Sequence, residues 1–216
     1  MRKTILLLLI FASVFVLAAA VDLIDDAYLS LKEFLDQPDS GAFVGLLERA
    51  RGLLIVPKYY KVGWIFGGQY GTGILLRKDL ETGNWYGPLF VKIHGLSLGP
   101  QIGFQSISLI AVVMDRVDSF LETNVTLGGS LSVAAGPLGR RLSADFNFEA
   151  ASIYSYSIAR GFYAGFSLEG ARVSVDKDLN REYYGSDLSS YTILYEKPVR
   201  GRAEKIVELL RSTSGK

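Results

Sequence analysis

The chain has 216 residues, of which 49% are hydrophobic and 21% charged, and its formal net charge is +1 at pH 7. This composition is typical of a globular domain, and the near balance of charge argues against nucleic-acid binding, which needs a clear basic excess. The sequence contains no cysteine and one histidine. Disulfides, thiolate metal sites, thiol nucleophiles and histidine clusters for zinc are therefore excluded.

Residues 1–20 have the pattern of a signal peptide. Arg2 and Lys3 form a positive start, an apolar run extends from Ile5 to Leu17, and three alanines follow as a cleavage site. We expect a secreted, periplasmic or cell-envelope protein whose single domain covers residues 21–216. The competing interpretation is an uncleaved membrane anchor, because the apolar run approaches the ~17 residues that span a bilayer.

Helical patterns occupy both ends of the predicted domain. Asp22 is predicted to cap a first helix, and a short second helix follows the break at residues 38–41. The polar face of the first helix is strongly acidic, so we expect it to pack on a sheet rather than on an anionic membrane. The apolar positions at helical spacing are Leu23, Ile24, Ala27, Tyr28, Leu31, Phe34 and Leu35 in the first helix, Phe43, Val44, Leu46, Leu47 and Ala50 in the second, and Ala203, Ile206, Val207 and Leu210 in a C-terminal helix.

Strand patterns fill most of the chain from Leu53 onward. The continuous apolar run Leu109–Met114 predicts a strand buried on both faces, and residues 81–84 predict a turn. Pro88 predicts an edge strand or a bulge, because proline donates no ladder hydrogen bond. The glycine-rich run Gly67–Gly73 has no P-loop ending and is interpreted as a bulged turn between strands.

The segment from Asn124 to Ala150 predicts a β-hairpin with one apolar face. Apolar and polar residues alternate on both sides of a turn at Gly136–Gly139, and the alternation continues to Ile158, with a bend expected near Ala151. A change of phase predicts a bulge at Gly170. The fold class is α+β and β-rich: a curved antiparallel or barrel-like sheet with N-terminal helices and a C-terminal helix.

Three stretches resemble the SYLF-domain family: NVTLGGSLSVAAGPLGR from Asn124, IYSYSIARGFYAGFSLEG from Ile153 and GGQYGTGILL from Gly67. The resemblance runs from about Ala50 to Gly185. It implies kinship with bacterial envelope proteins and with eukaryotic proteins that bind phosphoinositides and associate with the actin cytoskeleton. Because we expect an exported chain, the resemblance implies anionic-lipid binding here without naming the lipid, and no contact with actin.

Two patterns imitate catalytic motifs. Residues 95–99 match the G-x-S-x-G nucleophile elbow, but that motif needs a strand-to-helix turn and a downstream histidine, whereas His94 lies upstream. Asp145 and Glu149 would lie ~13 Å apart on one strand, beyond the separation used by glycosidases. We therefore expect no enzyme activity, no cofactor and no metal.

The candidate membrane-binding residues follow the first predicted strand, in what we expect to be an exposed loop. Amphipathic aromatics favour a membrane interface and lysines favour anionic headgroups. An alternative is an ordinary polar loop whose aromatics cover the edge of the core. The candidates are Lys58, Tyr59, Tyr60, Lys61 and Trp64, with Arg140 and Arg141 at the predicted hairpin turn.

The sequence analysis therefore predicts a non-enzymatic domain that contacts an anionic lipid or membrane surface. A structural or protein-interaction module of the cell envelope is the alternative function, with an envelope protein as its partner.

Overall fold

The computed structural model describes residues 2–38, 40–63, 66–98, 103–122, 124–159, 162–165, 168 and 170–214, with side chains from Ala19 onward except within 61–67, 96–105, 159–167 and at 124 and 214. The helices are α1 (Arg2–Leu35), α2 (Gly41–Arg49), α3 (Lys177–Tyr184) and α4 (Glu204–Ser214). The strands are β1 (Gly52–Gly63), β2 (Phe66–Lys78), β3 (Trp85–Leu98), β4 (Gly103–Val113), β5 (Asn124–Thr126), β6 (Val133–Ala135), β7 (Ile153–Ala159), β8 (Phe162–Gly165) and β9 (Ala171–Val175).

All of these strands belong to one sheet. The order is β5-β9-β3-β2-β1-β4-β7-β6, and β8 pairs with β7 beside this path. The β6–β7 pair is parallel, while the other described pairs are antiparallel. The predicted α+β, β-rich class is confirmed, although the sheet is mixed rather than antiparallel throughout.

The connection between β5 and β6 requires the sheet to curl. These two strands lie at opposite ends of the strand order, yet β5 ends at Thr126 and β6 begins at Val133. Eight flat strands would span roughly 34 Å at about 4.8 Å per strand, whereas so short a segment reaches about 25 Å at most. A bridge between Leu127 and Leu131 shortens its reach further. The sheet therefore forms a half-barrel.

Hydrophobic clusters cover both faces of the sheet. In β1, Leu53 and Ile55 join the cluster beneath the helices, whereas Leu54 and Val56 join the cluster that includes the β5–β6 connection and is enclosed by the curl. The run Leu109–Met114 likewise divides between the two clusters and is buried throughout. This confirms the predicted strand with two buried faces.

Helix α1 packs on the sheet through the predicted apolar face. Ile24, Ala27, Leu31 and Phe34 are fully buried. The predicted start at Asp22 is wrong, because the leucine- and alanine-rich segment before it is also helical and α1 runs unbroken from Arg2. Among the described residues, no helix is both long enough and apolar enough to cross a membrane.

The predicted hairpin from Asn124 to Ala150 is wrong. β5 pairs with β9 and β6 pairs with β7, while residues 142–150 form turns and irregular chain. The alternating aromatics of this segment pack through side chains instead of a strand ladder. The ring centroids of Phe146 and Tyr154 lie 5.3 Å apart, and Cζ of Arg49 lies 4.3 Å from the ring centroid of Phe148.

The predictions made from glycine and proline positions were only partly correct. Gly170 lies in a turn at φ +79° before β9 rather than in a bulge, and Gly67–Gly73 belongs to β2 rather than to a turn. The bulge predicted at Pro88 is confirmed by a register shift in the pairing of β2 with β3 between Leu75 and Arg77. The turn at 81–84 and the C-terminal helix are confirmed as well, and a short 3₁₀ helix spans Val117–Leu121.

Candidate functional site

Segment 58–61 lies within β1, so the loop predicted for it is wrong. A strand turns successive side chains to opposite faces, and this separates the candidate residues. Tyr59 is fully buried in the enclosed cluster and donates a hydrogen bond to Gln69 Oε1 at 2.8 Å. Burial also raises the pKa of Tyr59 well above its ordinary value. Tyr59 is therefore a core residue.

Lys58 is exposed and lies against α1. Its Nζ is 2.7 Å from Asp26 Oδ2, and this hydrogen bond raises the pKa of Lys58. Tyr60 follows on the same face and is half-buried. The side chain of Lys61 and the whole of Trp64 lie outside the described residues. The predicted aromatic–lysine patch therefore reduces to Lys58 and Tyr60 among the side chains that the structure describes.

Arg140 and Arg141 are exposed beside α2 rather than beside β1. The backbone N–H of Ala42 donates to the carbonyl oxygen of Gly139, and a Cβ added at Gly41 would lie 1.8 Å from the carbonyl oxygen of Arg140. Gly41 therefore allows this close approach of the two segments. The two arginines therefore lie beside α2, whereas segment 58–61 lies in β1.

A row of polar side chains crosses four strands next to Tyr60. Tyr60 pairs with Tyr70, Tyr70 with His94, and His94 with Arg172. Residues that face each other across antiparallel strands lie on the same face of the sheet. We call these four residues the aromatic–basic row. They line a cavity of about 720 Å³ together with Gly68, Gln69, Gly95 and Gly170.

Charges in the neighbouring row are already paired. Lys92 Nζ lies 3.0 Å from Asp176 Oδ2, a buried carboxylate, and this hydrogen bond raises the pKa of Lys92. Lys58 is similarly paired with Asp26. His94 and Arg172 are exposed, and neither has a hydrogen-bond or ion-pair partner among the described residues. Among the described side chains of this surface, Arg172 therefore carries an uncompensated charge.

Two glycines of β2 have different structural roles. A Cβ added at Gly73 would lie 2.4 Å from the carbonyl oxygen of Ile55, so Gly73 permits close approach of β1. A Cβ added at Gly68 would meet no atom of the described residues within 4 Å. The absence of a side chain at Gly68 leaves open space in the lining of the cavity.

Sequence reasoning missed Tyr70 and Arg172, and it considered His94 only as the histidine that precedes the G-x-S-x-G pattern. These residues lie far apart in the chain, and only strand register brings them together. The available signal was a polar residue on the exposed side of each strand pattern, which is common in ordinary sheets.

The structure does not support a catalytic role for the two sequence patterns that resemble catalytic motifs. Gly95–Leu98 belongs to β3 and has no turn to a helix, while Gly99 lies outside the described residues. Asp145 and Glu149 are exposed in irregular chain, not on one strand. In the described ranges, no group of three or more acidic or histidine side chains could hold a metal ion.

A second aromatic surface lies at the other end of β2. Arg77 stacks over the rings of Tyr195, at 4.0 Å, and Tyr86, at 5.4 Å. Tyr191 is 53% exposed and stacks on Tyr195 with ring centroids 4.8 Å apart. We call these four residues the Arg77 cluster. Arginine and tyrosine are enriched in the energetically important parts of protein interfaces.

Comparison with known proteins assigns the half-barrel to a family. Residues 94–213 match the family model described as "Ysc84: Las17-binding protein actin regulator". This matched segment is more than half of the chain. The chain therefore belongs to the Ysc84 family of SYLF domains, as the sequence motifs predicted.

Curated relatives extend the similarity over most of the chain. "SH3 domain-containing YSC84-like protein 1" of Homo sapiens is 35% identical over 184 residues, covering 83% of this chain and 53% of the human protein. The Xenopus laevis protein of the same name is 34% identical over 197 residues, covering 86% and 58%. "LAS seventeen-binding protein 3" of Saccharomyces cerevisiae is 34% identical over 155 residues, covering 69% and 33%. The chain thus spans about half the length of the vertebrate relatives. No solved structure matches the chain.

Proposed function

We propose that this domain is a non-enzymatic module that binds anionic membrane surfaces through the aromatic–basic row. The observation that carries the proposal is the cavity lined by Tyr60, Tyr70, His94 and Arg172, in which the guanidinium of Arg172 has no partner among the described residues. Tyrosine rings favour the membrane–water interface, and each basic side chain near an anionic surface contributes about 1 kcal/mol of attraction.

Helix α1 is a weaker candidate for the membrane contact. Its apolar face is buried against the sheet, and its acidic residues Asp25 and Asp26 are engaged in ion pairs with Arg202, Lys205 and Lys58. An acidic polar face is repelled by anionic lipid. These contacts support an internal structural role for α1 and favour the row as the membrane-facing surface.

Export of the domain is part of this proposal. The positive start, apolar run and alanine triplet of residues 1–20 support cleavage before Val21 and placement in the cell envelope or outside the cell. Mass spectrometry of natively expressed protein would then find a chain that begins at or near Val21. Recovery of intact Met1 in a membrane fraction would instead support an uncleaved anchor.

Vesicle co-sedimentation tests the membrane contact. Arg172→Gln removes the unpaired cation, and we expect about fivefold weaker binding to anionic vesicles, the equivalent of about 1 kcal/mol. The matched control is Arg51→Gln, which removes an exposed arginine just before the opposite end of β1. Binding that rises with anionic lipid, falls with salt and is reduced only by Arg172→Gln supports the proposal. No vesicle binding by the unsubstituted protein would contradict it.

Protein binding is the second candidate function. The family description and the name of the yeast relative both refer to binding of Las17. The Arg77 cluster supplies a surface of the appropriate composition, because stacked tyrosines and arginine favour protein contacts. A protein that ignores vesicles of every composition would make this the preferred function, with an envelope protein as partner.

A further inference from the structure

The cavity beside the aromatic–basic row is a partly open depression in the surface of the sheet. Its volume of about 720 Å³ lies within the range of small-ligand sites. The open space above Gly68 and the rings of Tyr60 and Tyr70 give it an apolar lining, while Arg172 and His94 supply polar groups. A group that enters it would contact tyrosine rings and a cation together.

The described part of the cavity lining matches a ligand group with one negative charge. Among the described lining residues, Arg172 is the single permanently charged side chain, and there is no carboxylate. The nearby lysines Lys58 and Lys92 are paired with Asp26 and Asp176. A polyphosphorylated group would need several free cations, whereas one guanidinium matches two oxygens of a single phosphate.

We propose that the cavity recognises the phosphodiester of one phospholipid headgroup, with its glycerol portion against the tyrosine rings. This inference rests on the proposed membrane contact and adds its ligand class. It requires that a simple monoanionic lipid such as phosphatidylglycerol binds at least as well as a polyphosphorylated lipid, when vesicles carry equal total charge.

Two substitutions test the cavity separately from the overall charge. Gly68→Val places a side chain in open space without removing charge. Arg172→Lys keeps the positive charge and removes the planar fork that can bind two phosphate oxygens. We expect each variant to bind phosphatidylglycerol vesicles about fivefold or more weakly, with unchanged thermal melting and with Arg51→Gln as the unaffected control.

The outcomes distinguish the cavity from general membrane attraction. If Arg172→Gln weakens vesicle binding while Gly68→Val and Arg172→Lys do not, the membrane contact stands and the phosphodiester site is overturned. If Gly68→Val does not fold, Arg172→Lys decides in the same way. A clear preference for polyphosphorylated lipid at equal charge also overturns the proposal.

Soluble glycerophosphoglycerol identifies the source of the phosphodiester. Competition between this compound and phosphatidylglycerol vesicles supports a headgroup site. Binding of glycerophosphoglycerol by a protein that ignores vesicles overturns the lipid assignment and indicates a soluble phosphodiester instead. If the unsubstituted protein binds neither glycerophosphoglycerol nor vesicles, the site and the membrane function are overturned together.

Discussion

Asp25 ties α1 to the C-terminal end of the chain. Its carboxylate accepts hydrogen bonds from Lys205 and, at 2.9 Å, from Arg202. The hydrogen bond from Lys205 is the main reason that the pKa of Asp25 lies below its ordinary value of 3.8. Because the folded state favours the charged carboxylate, Asp25 stabilises the fold above the unfolded-state pKa. That contribution is lost as the pH falls through the folded-state pKa.

We therefore expect Asp25→Asn to reduce the loss of stability in acid. The side chain of Asp25 is 35% exposed, so solvent screening limits the effect to about 1 kcal/mol or less. Urea unfolding at pH 7 and near pH 3 measures it: the free energy of unfolding should fall more between the two pH values in the unsubstituted protein than in the variant. Equal pH dependence would show that the ion pair contributes nothing.

Gly68 and Gly73 provide a matched pair within β2. We expect Gly73→Ala to destabilise the protein by about 1–3 kcal/mol, because its Cβ would lie 2.4 Å from a backbone oxygen of β1. Gly68→Ala should change the free energy of unfolding by about 0.5 kcal/mol or less, because no described residue lies within 4 Å of its Cβ. Chemical denaturation compares the two variants, and similar losses in both would contradict the assigned roles.

At the scale of elements, α1 is part of the hydrophobic core. Phe34 is fully buried and its ring lies 4.6 Å from that of Phe43 and 5.1 Å from that of Tyr156. These edge-on contacts join α1, α2 and β7. The helix therefore holds the outer face of the half-barrel together.

We expect Phe34→Ala to lower the free energy of unfolding by about 3–5 kcal/mol, since it leaves a cavity between three elements. Leu29→Ala is the control on the same helix, because Leu29 is 60% exposed, and it should change stability by about 0.5 kcal/mol or less. Chemical denaturation measures both stability changes as shifts of the denaturant midpoint, provided that the dependence of the unfolding free energy on denaturant concentration is unchanged. A small effect of Phe34→Ala would mean that α1 contributes little to the folded state.

Helices and strands differed in how well their patterns could be interpreted. The apolar faces of α1, α2 and α4 follow helical spacing. Most of their predicted residues are buried, whereas Leu23, Tyr28, Leu35 and Val44 are partly buried. The alternation in Leu142–Ala150 has the period of a strand but forms irregular chain, because its aromatics pack onto β7 and α2 through side chains. Period alone does not reveal whether a neighbouring strand is available for pairing.

For the complete chain, the buried side chains that the structure describes in α1 lie at or after the end of the predicted signal peptide. Among these described residues, Ala20 is 1% exposed, and the others, from Ile24 onward, follow the expected cleavage site. We expect a chain that starts at Val21 to unfold in one cooperative thermal transition, as the rest of the core is retained. Loss of that transition would mean that residues 1–20 belong to the fold.

The broad character of this protein follows from its amino-acid sequence. Apolar spacing predicted the helix faces and the doubly buried strand β4, and the motifs predicted SYLF-family membership. The lack of cysteine excluded thiol chemistry. These properties depend on residue type and local period, which can be read along the chain.

The residues of the candidate site, in contrast, are brought together by the folded arrangement of the strands. Tyr59 and Tyr60 are neighbours in sequence, yet strand geometry buries one and leaves the other beside Tyr70 on the opposite face. Arg172 reaches His94 only because β9 pairs with β3, and Lys58 and Lys92 are paired only because Asp26 and Asp176 lie beside them. Register and ion pairing join residues that are distant in the chain, so local patterns could not reveal them.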